Sequence, residues 1–163
     1  MYKLLSKIGY HGPVILFFLI IIELFKNNYT NSYIYIAVII WQVLNHLLNI
    51  TIKNILKHPR PDSIKDEIKN IDTPVTISNY LTIHKSFGMP SGHAQSSVSE
   101  LTFIAMFFKN PTLTTIASIQ TALTLWQRYS VNRHSITQLS VGSLLGVAVG
   151  GIFYKYTLRY LAK

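Results

Sequence analysis

The chain contains no cysteine. That excludes a disulfide scaffold, a thiolate zinc site and a cysteine nucleophile. Charge is scarce as well. Charged residues fill 13% of the 163 positions, about half the share of an ordinary soluble domain. Acids are the scarcest, six against fifteen lysines and arginines. Disorder is excluded, because 49% of the residues are hydrophobic and disordered chains are poor in apolar residues. Internal repeats and low-complexity tracts are missing. The apolar run after Lys3 and Lys7 has no small-residue cleavage site behind it, so it does not read as a signal peptide. What is present is an apolar, basic chain, with a mean hydropathy of +0.30 and a net charge of +9. The hydropathy points to a membrane protein. The excess of cations points to nucleic acid, an anionic membrane surface or a phosphate substrate.

The apolar residues come in blocks at residues 13–25, 33–55, 94–108, 113–126 and 136–156. A spanning helix needs about 20 mostly apolar residues. The second and fifth blocks reach that length alone, and the others reach it with their flanks. The expected fold is therefore all-α, an integral membrane bundle of about five transmembrane helices, forming a single domain over residues 1–163. Residues 57–88 are the one long polar stretch and are expected to form an extramembrane loop, with a short surface helix at 64–71. The alternative is a soluble helical bundle. Against it stand the tyrosines near the block ends, among them Tyr29, Tyr33, Tyr129, Tyr156 and Tyr160, which resemble an interfacial belt. Gly142, Gly146 and Gly150 line one helix face and suit close helix packing.

Three polar clusters interrupt this pattern. The first holds Lys53, Lys57 and Arg60 with Pro59 and Pro61, where the second block ends. The second is GMPSGH, residues 88–93, where the third begins. The third is RYSVNRH, residues 128–134, between the fourth and fifth. Counting crossings through five spans brings all three to one membrane face. Their chemistry suits a phosphoester. Lysine and arginine neutralise phosphate oxygens. Ser91 is placed to cap a helix whose first N–H groups form an anion site. Gly92 permits close approach to the main chain. His93 and His134 supply a nucleophile and a proton donor.

Lys53-x6-Arg60-Pro61, Pro90-Ser91-Gly92-His93 and Arg128-x5-His134 resemble the three signature motifs of the PAP2 (phosphatidic acid phosphatase type 2) superfamily. The run LNITIKNILKHPRP, Gly88 and Met89 ahead of PSGH, and Gln95 are similar to its dolichyl-diphosphatase branch. Two positions depart from the general pattern: Gln127 and Gln138 stand where the third motif usually has serine and aspartate. Gln at the second position is also found in that branch. The resemblance implies a metal-independent, cofactor-free hydrolysis of a polyprenyl or dolichyl diphosphate to the monophosphate. In it, His134 attacks phosphorus and forms a phosphohistidine. His93 protonates the leaving oxygen and then activates water. Lys53, Arg60, Ser91, Gly92 and Arg128 hold the phosphoryl oxygens, and Gln138 takes the place of the acid that orients the nucleophile. The implied partners are a lipid (poly)phosphate and membrane lipids.

Two alternatives stand beside this reading. One is a general lipid phosphate phosphatase acting on phosphatidic-acid-like substrates. The other is an inactive lipid-binding or scaffold protein, because Gln138 replaces an acid. Nucleic acid is not expected, since no reading motif appears. Lys57 and Arg133 hold no motif position and read as interfacial. His11, His46, His58 and His84 stay unassigned. Asn45, His46 and Asn49 fall at helical spacing, where interhelical hydrogen bonding is the default. Glu100 lies two turns beyond His93, and an acid within a span is a functional candidate. Lysines and arginines flank both faces, so the positive-inside rule does not choose an orientation. The resemblance implies a lumenal active face where the membrane is the endoplasmic reticulum. The sequence leaves the oligomeric state open.

Overall fold

The computed structural model describes residues 2–61 and 87–160. The surface helix expected at 64–71 and most of the 57–88 loop lie outside the described residues. Among the described residues there are six helices. Helix α1 (Tyr2–Tyr10) gives way at His11 to α2 (Gly12–Lys26), and the two axes differ by 61°. Pro13 in the first turn of α2 suits a helix start, where its missing N–H costs nothing. Helix α3 (Tyr33–Leu56) closes at Lys57, whose φ of 48° is left-handed and whose N–H donates to Lys53 O at 2.9 Å.

Helix α4 (Gly92–Phe107) begins at Ser91, whose hydroxyl accepts from the Ala94 N–H. Helix α5 (Pro111–Ser130) begins at Asn110, which accepts from Leu113 N at 3.1 Å. Both caps satisfy an N–H that the helix itself leaves unpaired. Helix α6 (Ile136–Tyr160) follows. Helix α4 is the central member and packs against α2, α3, α5 and most extensively α6, while α1 lies on α5. Gly12 lies against Thr124, and a Cβ at Gly9 would stand 2.5 Å from the Leu123 carbonyl oxygen. Glycine at both positions lets the bend between α1 and α2 rest on α5. The glycine face of α6 makes the α4–α6 contact. A Cβ at Gly142 or Gly146 would stand 2.6 Å from the carbonyl oxygen of Ser91 or Gln95, and Gly150 abuts Ser99.

The inner face of α3 runs Ile34, Val38, Trp41, Asn45, Asn49, Lys53, all buried. It changes from apolar to polar along its length. The apolar end joins a core of Leu16, Ile20, Phe103, Phe107 and Phe153, where the Trp41 and Phe153 rings stack 4.3 Å apart. The opposite face carries Ile36, Ile39, Ile40, Val43, Leu44 and Leu47, each more than half exposed. Water would not tolerate so continuous an apolar stripe; the hydrocarbon of a bilayer would. The molecule is an all-α membrane bundle.

The apolar blocks predict about five transmembrane helices, and the described residues hold six helices, the first two of them a bent pair. By length and composition α3 and α6 can cross a membrane, and the bent pair α1–α2 makes a third candidate. Helices α4 and α5 fall short of that measure for a structural reason. Helix α4 has 16 residues, about 24 Å at 1.5 Å per residue, and buries Gln95, Ser97, Ser99 and Glu100. Helix α5 buries Gln120, Thr121, Thr124, Gln127 and Arg128. Both are polar because neighbouring helices, not lipid, surround those faces.

Candidate active site

The two ends of the 57–88 segment meet. Pro59 and Phe87 form an isolated antiparallel bridge, and Gly88 N donates to His58 O at 2.8 Å. This joins the first cluster to the second. Ser91 N then donates to Gln138 O at 3.1 Å, tying the second to the start of α6. The third cluster is a tight turn. Asn132 is left-handed, with φ of 54°, a conformation asparagine tolerates. The turn lets Arg128 O accept from both Arg133 N, at 3.2 Å, and His134 N, at 3.3 Å. The end of α5 and the turn that follows it thus set Arg128 and His134 side by side. Arg133 adds its carbonyl, which accepts from Arg60 Nη1 at 3.2 Å.

Six of the eight residues expected at the site line one cavity of about 600 Å³: Lys53, Arg60, Gly92, His93, Arg128 and His134. Lys53 and Arg128 are 3% and 4% exposed, so their charges face the cavity with little water to screen them. Glu23 and Glu100 are the acids among the described residues, and neither lines it. The cavity is therefore a trap for an anion. Gly92 and His93 occupy the first two positions of α4, where a helix provides no acceptor for the N–H groups, and both residues line the same space. A separate groove between α3 and α6 is apolar, walled by Leu44, Leu48 and Ile152.

Ser91 and Gln138 do not line the cavity. Ser91 is fully buried and its hydroxyl caps α4. Gln138 works from behind. Its Nε2 donates to Pro59 O at 2.7 Å, and its Oε1 accepts from Ser135 N at 3.3 Å. A carbonyl can only accept and a backbone N–H can only donate, so the amide has one orientation. Its Oε1 also lies 3.2 Å from His134 Nδ1, which makes Nδ1 the protonated nitrogen and leaves Nε2 with a free lone pair. Burial, and then the charges of Arg128, Arg60 and Lys53, hold the pKa of His134 well below the ordinary histidine value, against a smaller upward pull from Gln138. A neutral ring with a free Nε2 is the form a nucleophile needs.

Gly88 fits this arrangement closely. A Cβ there would stand 2.5 to 2.7 Å from the Gln138 amide atoms, so only glycine lets that amide reach both Pro59 and His134.

Tyr10 and His11 are among the cavity residues that belong to none of the three clusters. Tyr10 ends α1. Its ring lies 5.2 Å from that of His93 and 5.6 Å from the Arg128 guanidinium carbon, and its backbone hydrogen-bonds the His93 ring. The signal in the sequence is Tyr10-His11-Gly12-Pro13, a polar aromatic pair at a helix break. Its target depends on how α1 packs, which the sequence does not state. Glu100 stands apart from the cavity, its Oε1 accepting from Gln42 Nε2 at 2.8 Å.

Both the sequence and the shape have known counterparts. The sequence pattern of the PAP2 superfamily matches residues 31–161. The chain is 28% identical over 123 residues to the dolichyldiphosphatase of Saccharomyces cerevisiae, an alignment covering 69% of the chain and 47% of the relative. The chain thus matches about half the length of that curated relative. In shape it is similar to the crystal structure of a transmembrane PAP2 type phosphatidylglycerolphosphate phosphatase from Bacillus subtilis. The TM-score is 0.71 at 20% identity, over 97% of this chain and 77% of that one.

Proposed function

The chain belongs to the PAP2 superfamily, and from that premise we propose that it is an integral membrane lipid phosphatase that hydrolyses a polyprenyl diphosphate, such as dolichyl diphosphate, to the monophosphate. The observation that carries this reading is the single cavity joining Lys53, Arg60 and Arg128 to His93 and His134. The diphosphate preference is supported by the relative named dolichyldiphosphatase.

In this reading His134 Nε2 attacks the terminal phosphorus, and the bond to the bridging oxygen breaks. His93 gives that oxygen a proton, and the lipid monophosphate leaves. Water then attacks the phosphohistidine with His93 as base. Lys53, Arg60 and Arg128, with the N–H groups of Gly92 and His93, hold the phosphoryl oxygens, and the Ser91 cap keeps those N–H groups in place. Such a transition state needs charge neutralisation and positioning more than covalent help from further groups. The family resemblance supports a lumenal active face where the membrane is the endoplasmic reticulum.

The test is phosphate release by the purified protein from polyprenyl diphosphate and phosphatidic acid, with His134→Ala as control. Expected are faster release from the diphosphate, activity in excess EDTA, inhibition by vanadate, and no release by His134→Ala. Faster release from phosphatidic acid would favour the general lipid phosphatase. No release from either lipid would leave a lipid-binding protein. Loss of activity in EDTA, restored by magnesium, would overturn the mechanism.

A further inference from the structure

The family pattern covers residues 31–161, so α1 lies outside it. Yet the last residue of α1, Tyr10, lines the cavity. Its ring centroid stands 5.2 Å from that of His93, the two planes tilted by 40°. The Arg128 guanidinium carbon lies 5.6 Å from the same centroid, within cation–π range. The Tyr10 backbone also hydrogen-bonds the His93 ring. In α1 the Tyr10 N–H points back to the carbonyl four residues earlier, whereas the last carbonyls of a helix have no partner inside it. The carbonyl is therefore the acceptor and the imidazole N–H the donor.

Helix α5 fixes Tyr10 from the far side. Gln120 Nε2 donates to Ile8 O at 2.9 Å. Gln127 Nε2 donates to Ser6 Oγ at 3.4 Å, and its Oε1 accepts from Arg128 Nη1 at 3.4 Å. Gln127 thus holds both α1 and the cation that anchors the Tyr10 ring.

On the reading proposed above, His93 gives a proton to the bridging oxygen and then takes one from water. One ring nitrogen must make that exchange, and the other must stay out of it. A carbonyl can only accept, so the nitrogen facing Tyr10 keeps its hydrogen in both states, and the second nitrogen carries the proton that moves. Gln138 Oε1 does the same for His134.

We propose that Tyr10 is a positioning residue for His93: its ring, anchored on Arg128, packs the imidazole in place, and its carbonyl fixes which nitrogen exchanges protons. The inference rests on the phosphatase reading, with His93 as acid and base.

A double-mutant cycle tests it, with single-turnover hydrolysis of polyprenyl diphosphate by excess enzyme. Tyr10→Leu should slow hydrolysis roughly ten- to hundred-fold, part of what general acid–base catalysis supplies. Tyr10→Phe keeps the ring and should stay within about three-fold of wild type. In His93→Ala there is no imidazole to place, so adding Tyr10→Leu should cost less than about three-fold, the non-additivity expected of residues that act through one another. Equal losses from Tyr10→Leu in the two backgrounds would overturn the inference and make Tyr10 a packing residue. So would a Tyr10→Leu variant at the wild-type rate, or a Tyr10→Phe variant as slow as Tyr10→Leu. Nitrogen NMR of isotope-labelled histidine rings, with His93→Ala to assign the signal, reads the same point without turnover. Neutral His93 should show one tautomer in wild type and a mixture in Tyr10→Leu. A mixture in wild type would overturn the inference. Release of phosphate from no lipid, with a single His93 tautomer, would overturn the proposed function and leave the placement of the ring by Tyr10 standing.

Discussion

Gln138 stands where an aspartate is usual, and its contacts say what that exchange does. An aspartate would accept the His134 N–H and add a negative charge. The glutamine accepts at 3.2 Å and adds none, while its Nε2 donates to Pro59 O, which a carboxylate could not do. His134 therefore stays neutral to a pH below the ordinary histidine range, the direction set by burial and by Arg128, Arg60 and Lys53. A base with a depressed pKa is lost only as the pH falls through that low value. The acid limb of kcat/KM that reports His134 is thus expected below the usual histidine titration. Gln138→Asp should move that limb upward, because a carboxylate favours the imidazolium. Gln138→Ala should lower kcat roughly ten-fold or more, about 1.4 kcal/mol of barrier. Profiles of kcat and kcat/KM against pH for the three proteins check this; Gln138→Ala profiles matching wild type would remove Gln138 from the orienting role. Gly88→Ala should resemble Gln138→Ala, since its Cβ meets the same amide at 2.5 Å. If Gly88→Ala kept full kcat, the amide would have room that the packing does not allow it. The three motif clusters are legible in the sequence because their spacings are local. The hold of Pro59 on Gln138 is not, because it joins residues 79 apart through a bridge that only the folded chain makes.

Among the elements, α4 carries the site and α6 sets its position. Their backbones touch along Gly142, Gly146 and Gly150, a contact that the four-residue glycine spacing makes readable. The face those glycines meet is less readable, since α4 alternates small and polar residues and has no distinct apolar stripe. Gly146→Val should force the helices apart, because a Cβ there meets the Gln95 carbonyl oxygen at 2.6 Å and backbone cannot step aside. Overpacking of this kind costs about 1–3 kcal/mol. Helix α4 also brings Gly92 and His93 to the cavity, so activity should fall with stability. Gly151 is the internal control: a Cβ added there would meet nothing within 4 Å. Gly151→Ala should melt at the wild-type temperature or slightly above. Thermal unfolding of both variants in detergent decides. Equal melting of Gly146→Val and wild type would mean that α4 and α6 are not in direct backbone contact. Helix α1 carries no motif, and its role emerges only from the fold. It reaches the cavity through Tyr10 because glycines at 9 and 12 bring the bend against α5.

The whole molecule is ordered along one axis. Apolar residues fill the end of the bundle around Trp41, Phe103 and Phe153; amides and then cations follow toward the end holding the cavity. The outside stays apolar along α3, where a water-exposed helix would be polar. Hydropathy reveals that outer surface, and so the membrane class. It marks α4 and α5 only weakly, because a helix wrapped by its neighbours buries polar residues such as Glu100 and Gln127. The axis makes a topological prediction. Ser32 immediately precedes α3, and Lys53 lies at the far end of that helix beside the cavity; α5 ends at Ser130, next to the Arg128–His134 turn. If α3 crosses the bilayer, residues 32 and 130 face opposite sides. The chain has no cysteine, so Ser32→Cys and Ser130→Cys each introduce one clean probe. In sealed vesicles a membrane-impermeant maleimide should label one of the two, and label the other only after detergent opens the membrane. Phosphate release by the same vesicles from substrate in the outer leaflet should accompany outward labelling of residue 130 and vanish when residue 32 faces out. Labelling of both cysteines from one side would mean that α3 returns to the surface it left, and the active cavity would no longer lie at the end of a spanning helix.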